Sequence, residues 1–260
     1  MKDIRLTTSN DQEINIDSEK SMFGTSAAAT ISTIAAILKL HEVDDRDLIY
    51  KLARYSHYKT HGEPSDGYDL SCTCYGSQFF LSDSFGQIAS INDAVKSRTD
   101  VLKEPYDWTD MLNPVFILMG KGTPPERLIK KVLAWKKAKP ERYLSLMRDY
   151  NVENLRLKTA FEENSLEKVK YHLERSWYIR RELGTLSGAE IEPERLTRMI
   201  YEFKAKGAFI AGLVGYGGGD LMVAFTRTSQ ERAALIGYLE DKNYSVLERV
   251  GLATKPFEYV

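Results

Sequence analysis

Gly215-Tyr216-Gly217-Gly218-Gly219-Asp220 stands between two apolar runs, Ala208 to Leu213 and Leu221 to Thr226. Both runs are short and rich in aliphatic residues, so the pattern reads as two strands joined by a glycine-rich turn. Three consecutive glycines exceed what a hairpin needs and allow backbone to approach a ligand closely, with a bulged hairpin as the plainer alternative. The run does not open a helix, which excludes a dinucleotide-binding glycine loop. Downstream, Ser229 caps a helix to about Lys242, and Ser245 to Val250 reads as a last strand. Upstream, Asn113 to Gly120 reads as a buried strand, and Pro124-Pro125 opens a helix through Lys139. Between these lie periodic stretches at Pro140 to Asp149, Val152 to Glu163, Ser165 to Leu183 and Glu194 to Lys206. The third carries Leu166, Val169, Leu173 and Trp177 on one side; the fourth carries Leu196, Met199, Ile200 and Phe203. The C-terminal part is therefore helix-rich and closed by a β-turn-β-α-β unit.

Toward the N-terminus, Ile4 and Leu6 precede the polar turn Ser9-Asn10-Asp11, and Ile14 and Ile16 follow it, which suggests two short strands. The stretch from about Ser26 through Leu38 is helical in spacing and nearly apolar all round, as for a core helix. A second helix covers Asp45 to Tyr58, with Leu48, Ile49, Leu52, Ala53 and Tyr55 on its apolar face. His61 to Tyr68 holds two glycines and a proline and reads as a loop.

Composition narrows the function classes. The 260 residues carry 36 Lys+Arg against 37 Asp+Glu, a net charge of −1, which gives no global reason to expect nucleic acid or an anionic membrane as partner. Cys72 and Cys74 stand too close together for an ordinary disulfide and are too few for a zinc site, so they read as reduced cytosolic thiols. The uncharged stretch Ser21 to Leu38 is interrupted by Thr and Ser and reads as a buried helix, with no membrane span expected.

Three segments carry candidate chemistry. Met22-Phe23-Gly24-Thr25-Ser26-Ala27-Ala28-Ala29 puts a glycine and two hydroxyls at a helix start, where unpaired N–H groups and the dipole suit a phosphate, or where Thr and Ser merely cap. Gly62-Glu63-Pro64-Ser65-Asp66-Gly67-Tyr68-Asp69 delivers one carboxylate to the start of Leu70 to Gly76, placed to orient or deprotonate an acceptor or else to cap a helix. The glycine-rich turn is the third. Gly120-Lys121-Gly122-Thr123 follows a strand but lacks the earlier glycine of a Walker A loop; it is a candidate anion site with Lys121 as point charge. The basic stripe Arg127 to Lys139 reads as a solvated helix face rather than an RNA surface, and the four histidines show no metal spacing.

The order of these segments resembles the GHMP small-molecule kinases, and within them the phosphomevalonate kinases. The resemblance covers roughly residue 18 to the C-terminus, including Glu248-Arg249-Val250-Gly251. It implies an α+β, two-lobe fold with a nucleotide-binding lobe over residues 1–110 and a helix-rich lobe with ferredoxin-like β-α-β elements over 111–260. It implies ATP and Mg²⁺ as cofactors and a mevalonate phosphate as acceptor, in isoprenoid precursor synthesis. Gly24, Thr25, Ser26 and Ala27 match the ATP phosphate loop, with Ser26 at the Mg²⁺ hydroxyl position. Lys20 falls where phosphomevalonate kinases have a lysine near the phosphates. Asp69 matches the aspartate that positions or deprotonates the acceptor, preceded by Ser65 and Gly67. Gly217, Gly218, Gly219 and Asp220 match the substrate-side motif, and Lys20, Lys121, Arg54 and Lys59 are candidates to replace the family's phosphate-neutralising lysine. A cytoplasmic enzyme without nucleic-acid or membrane partners follows, and a homodimer is compatible with it.

Departures accompany the match. Met22 stands for the loop's first glycine and Thr25 for its first serine. Tyr50 to His61 contains no acidic residue, Gly212 and Val214 replace a lysine and a serine, and Tyr216 replaces a small residue. The family's first motif has no counterpart ahead of Met22, so the resemblance implies a shortened N-terminal lobe. The alternative is a catalytically inactive GHMP-fold protein that binds nucleotide or metabolite, or supports a partner kinase.

Overall fold

The computed structural model describes residues 15–16, 19–20, 25–61, 67–80, 90–96, 104–107, 111–247 and 257–258. The expected strands around Ser9 to Asp11, the loop residues Gly24 and Ser65, and the stretch 248–251 lie outside these residues. The chain divides into two units, Met1–Asp107 with Leu252–Val260, and Trp108–Gly251. The sequence reading gave all of 111–260 to the second lobe. The segment around Phe257 joins the first unit instead, because Phe257 N–H donates to Thr73 O (3.2 Å) and its ring lies under Arg46 (5.1 Å).

In the first unit, β1 (Asn15–Ile16) pairs antiparallel with β2 (Glu19–Lys20). Three helices follow: α1 (Thr25–Leu40), α2 (Arg46–His61) and α3 (Tyr68–Tyr75). After them come β3 (Gln78–Phe79), α4 (Ile91–Lys96) and β4 (Glu104–Pro105), with β3 antiparallel to β4. Ala27, Ile31 and Ala35 recur every fourth residue along α1 and meet Ile49, Tyr50 and Ala53 of α2 and Leu70 and Cys74 of α3 in one apolar cluster. The inward face of α2 thus centres on Ile49, Tyr50 and Ala53, whereas Leu48, Leu52 and Tyr55 are only half-buried. The Asp45 carboxylate starts α2 by accepting from the N–H groups of Asp47 and Leu48, both at 3.0 Å.

The second unit opens with β5 (Asn113–Leu118), then α5 (Pro125–Ala138), α6 (Pro140–Glu162), α7 (Leu166–Ser187) and α8 (Glu194–Ala205). It closes with β6 (Ile210–Leu213), β7 (Leu221–Thr226), α9 (Ser229–Asp241) and β8 (Ser245–Leu247). The sheet order is β6-β7-β5-β8 with every pair antiparallel, so β5 and β6 run parallel with β7 between them, the split, ferredoxin-like β-α-β arrangement.

Three sequence expectations change here. Residues 140–162 form one helix rather than two, since no Gly or Pro interrupts 149–151 and Leu146, Glu153 and Ala160 keep a single buried face. α7 runs on to Ser187, where Gly188 at φ 68° ends it. The cap of α9 is Thr228, whose Oγ1 accepts from Glu231 N–H at 3.1 Å, not Ser229. Strand alternation separates the two faces of the sheet. Ala211 and Leu213 enter the cluster built with Leu196, Met199 and Phe203 of α8 and Leu235 and Leu239 of α9. Gly212 faces the other way, onto the indole of Trp177 in α7.

Candidate functional site

The first turn of α1 is anchored by Ala27, which is fully buried, while Ser26 is half-buried. Thr30 Oγ1 donates to Ser26 O at 2.8 Å, securing that turn. α1 has no acidic residue in its first turn and Lys39 in its last. Each of the other helices among the described residues has an acid there: Asp47, Asp69, Asp93, Glu126, Glu141, Glu167, Glu194 or Glu231. Such an acid offsets the positive end of the helix dipole and repels an anion, so the start of α1 is the helix end whose field is left for one.

Asp69 sits in the first turn of α3, behind Gly67 at φ 74°. Gly67 occupies the cap position, and among the described residues the Asp69 carboxylate accepts from the next amide alone, Leu70 N–H at 2.8 Å. The capping role open to Asp69 from sequence is therefore not the one it takes. Its carboxylate forms no ion pair among the described residues. Gly67 O accepts from Ser71 N–H (2.8 Å) and from the Tyr50 hydroxyl (3.4 Å), which tie the turn down. Tyr50 and Ser71 are fully buried, and Gln78 Nε2 donates to Ser71 Oγ at 2.9 Å. Burial pushes the Tyr50 phenol up to about 12, so it remains a donor at neutral pH. Burial likewise raises the Cys72 thiol, which argues against a nucleophilic role for it. Sequence reasoning missed this Tyr50–Ser71–Gln78 support. Its one local signal was Tyr50 beside Ile49 and one turn before Ala53 on α2.

The glycine turn of the second unit is built by close packing. Gly217, Gly218 and Gly219 are buried at φ 81°, 84° and 92°. Gly218 N–H donates to Ile191 O (2.8 Å) and Gly218 O accepts from Thr123 N–H (3.0 Å). A Cβ on Gly217 would lie 2.4 Å from Ile191 O, one on Gly218 2.7 Å from Thr123 O, and one on Gly219 2.1 Å from Leu196 Cδ1. The missing side chains thus make room for the protein's own atoms on the sides a Cβ would occupy. The same contacts bring the Lys121 loop to the turn, since a Cβ on Gly122 would lie 2.8 Å from Asp220 N. Met119 N–H also donates to Asp220 O at 2.8 Å, and Arg180 holds Leu213 O at 3.1 Å. Lys121 and Gly217 to Asp220 therefore form one group in this unit. Ser26, Ala27, Gly67 and Asp69 fall in the first unit, where Ala27 and Leu70 share its apolar cluster. Thr25 and Lys20 are placed by their backbone, at the start of α1 and in β2.

No family model matches the chain. It is 24% identical over 281 residues to the peroxisomal phosphomevalonate kinase of Arabidopsis thaliana, covering 80% of this chain and 55% of that protein. It is 24% identical over 221 residues to the phosphomevalonate kinase of Saccharolobus solfataricus, covering 83% and 63%. Among solved structures, a Lin0012 protein from Listeria innocua superposes with a TM-score of 0.75 at 21% identity, over 90% of this chain and 68% of that one. The phosphomevalonate kinase of Streptococcus pneumoniae, solved with phosphomevalonate and AMPPNP, gives 0.69 at 18% identity, over 90% and 70%. The chain has the GHMP kinase fold.

Among the described residues no group of three or more His, Cys, Asp or Glu that could cage a metal occurs. Thr25 and Ser26 are the hydroxyl residues in the first turn of α1, and the lack of a first-turn acid there suits nucleotide phosphates. No helix among the described residues is long and apolar enough to cross a membrane.

Proposed function

We propose that the chain acts as an ATP-dependent kinase on a mevalonate phosphate, either mevalonate 5-phosphate or mevalonate 3-phosphate through its 5-hydroxyl. The observation that carries this reading is the pairing, in one unit, of an α1 start free of first-turn acid with an Asp69 carboxylate that no cation neutralises among the described residues. The segment from Gly24 into the first turn of α1 would hold the triphosphate by backbone N–H groups, with Lys20 as a candidate cation for it. Ser26 would hold Mg²⁺, which when bound neutralises charge on the transferring phosphoryl group. Asp69 orients the acceptor oxygen. That oxygen bonds to the γ-phosphorus as the bond to the ADP oxygen breaks, and a 5-hydroxyl acceptor gives its proton to the Asp69 carboxylate. In the first unit, Ser65 and Gly67 would serve the acceptor; in the second, Lys121 and the turn Gly217 to Asp220 are the group that resembles the family's substrate-side motif. The two unbridged cysteines suit the reducing cytoplasm.

A second reading, nucleotide or metabolite binding without turnover, draws on one observation. Asp47, the one acidic residue of α2, is engaged by Tyr75 Oη at 2.9 Å and Lys51 at 3.3 Å and is not left for a metal. The chain spans 55% and 63% of the two curated relatives above, so activity is a matter for experiment. The test is ATP consumption with mevalonate, mevalonate 3-phosphate and mevalonate 5-phosphate, with Asp69→Asn alongside. Turnover with one phosphate that drops at least about 100-fold in Asp69→Asn is the expected result. Turnover that survives the substitution removes Asp69 from the chemistry, and ATP binding without turnover selects the second reading.

A further inference from the structure

We infer that Arg54 contacts the acceptor, its guanidinium gripping an oxyanion of that molecule beside Asp69; this rests on the kinase reading above. Arg54 stands one helical turn after Tyr50 on α2, with Cζ 5.8 Å from the Tyr50 ring centroid. Its Nε and Cδ lie 3.3 and 3.5 Å from where a Cβ on Gly67 would be, so it presses on the residue two before Asp69. Gly67 and the Tyr50 ring therefore confine the guanidinium at the turn that delivers the carboxylate. Tyr50 registers both charges: after burial, the largest influence on its phenol, Arg54 lowers and Asp69 raises its proton affinity.

Arg54 is also the arginine left with an open fork. Among the half-buried arginines of the described residues, Arg180 holds Leu213 O (3.1 Å), Arg232 holds Pro114 O (3.1 Å) and Arg181 pairs with Glu192 (3.6 Å). Arg54 has no ion pair and no hydrogen bond to any described residue. A guanidinium partly withdrawn from water and left unpaired carries a desolvation cost that an arriving oxyanion removes, and its planar fork suits carboxylate and phosphate alike. A purely structural Arg54, covering Tyr50 with its stem, would matter for stability and not for acceptor affinity.

Arg54→Gln and Arg54→Lys are to be compared with wild type by calorimetric binding of mevalonate, mevalonate 3-phosphate, mevalonate 5-phosphate and ATP, by kcat and KM, and by thermal melting. The expected result is a rise of about 100-fold in Kd and KM for the acceptor in Arg54→Gln and about 10-fold in Arg54→Lys, with ATP affinity and melting temperature unchanged. A loss shared by mevalonate and mevalonate 5-phosphate assigns the oxyanion as the carboxylate, and a loss confined to the phosphate ester assigns it as the phosphate. If Arg54→Gln fails to fold, Arg54→Lys decides alone, since it keeps charge and stem but not the fork. Unchanged acceptor affinity in the folded variant overturns the inference while leaving the kinase reading in place. Wild-type binding without turnover overturns the kinase reading and leaves Arg54 to be judged by the binding arm. A wild type that binds no acceptor overturns both.

Discussion

Gly67 in the first unit and Gly217 in the second are both held in the left-handed region, at φ 74° and 81°, yet what stands against them differs in kind. At Gly217 the space for a Cβ is taken by a backbone carbonyl, Ile191 O, at 2.4 Å; at Gly67 the nearest atoms are the tips of two side chains, Tyr50 Oη at 3.2 Å and Arg54 Nε at 3.3 Å. Backbone cannot retreat without moving the segment between α7 and α8 that carries it, whereas a phenol or guanidinium tip shifts by tenths of an ångström. The long glycine run that draws the eye in the sequence is thus a rigid packing device. The single Gly67 is where the structure keeps adjustable, charged chemistry.

The comparison is broken or sharpened first by Gly217→Ala. A left-handed alanine costs about 1–2 kcal/mol and overlap with the backbone carbonyl adds about 1–3 kcal/mol, so a total of about 2–5 kcal/mol is expected, read by urea unfolding. Gly67→Ala comes next. The dihedral cost of about 1–2 kcal/mol remains but the overlap is relieved by the two tips, so stability falls by no more than that. Turnover falls more than stability does, because the relief displaces Arg54 and the turn carrying Asp69. If the two substitutions cost the same on unfolding, the distinction between backbone and side-chain packing is wrong.

The same distinction explains what could be read from the chain. Strong apolar periodicity made β7 legible as Leu221 to Thr226 and α8 nearly so, since burial on one face leaves a regular trace. The break expected near Asp149 had only polar residues behind it, and without Gly or Pro the buried face of α6 carried the helix through. The choice between Thr228 and Ser229 as cap turned on one hydroxyl's geometry, which composition does not encode. The order of motifs singled out Ser26 and Asp69 in the first unit and the glycine turn in the second. The Tyr50–Ser71–Gln78 support is non-local, joining α2, α3 and β3, and a tyrosine inside an apolar stripe looks like any other core aromatic. Gly212, a departure from the family pattern, has a cause equally distant in sequence: a Cβ there would lie 2.5 Å from the Trp177 ring.

The smallest effect at neutral pH, and the sharpest on the comparison, is expected from Tyr50→Phe. Removing a hydroxyl that donates weakly to Gly67 O costs about 1 kcal/mol. The difference grows in alkali. Burial raises the folded Tyr50 pKa to about 12, above its unfolded value near 10, so its contribution is whole below the unfolded value. Above about pH 10 the unfolded phenol ionises while the folded one stays protonated, and stability is lost as pH rises toward 12. Tyr50→Phe lacks that proton and should show a shallower alkaline loss in unfolding midpoints between pH 10 and 12. The loss becomes shallower rather than flat, because Tyr75, Tyr238 and Tyr244 are also raised. No titratable side chain stands nearest the Cβ positions of Gly217, Gly218 and Gly219, so a Gly217→Ala chain should keep the full wild-type alkaline slope from a lower starting stability. A Tyr50→Phe slope equal to wild type would mean that the Gly67 turn is as insensitive to charge as the glycine run.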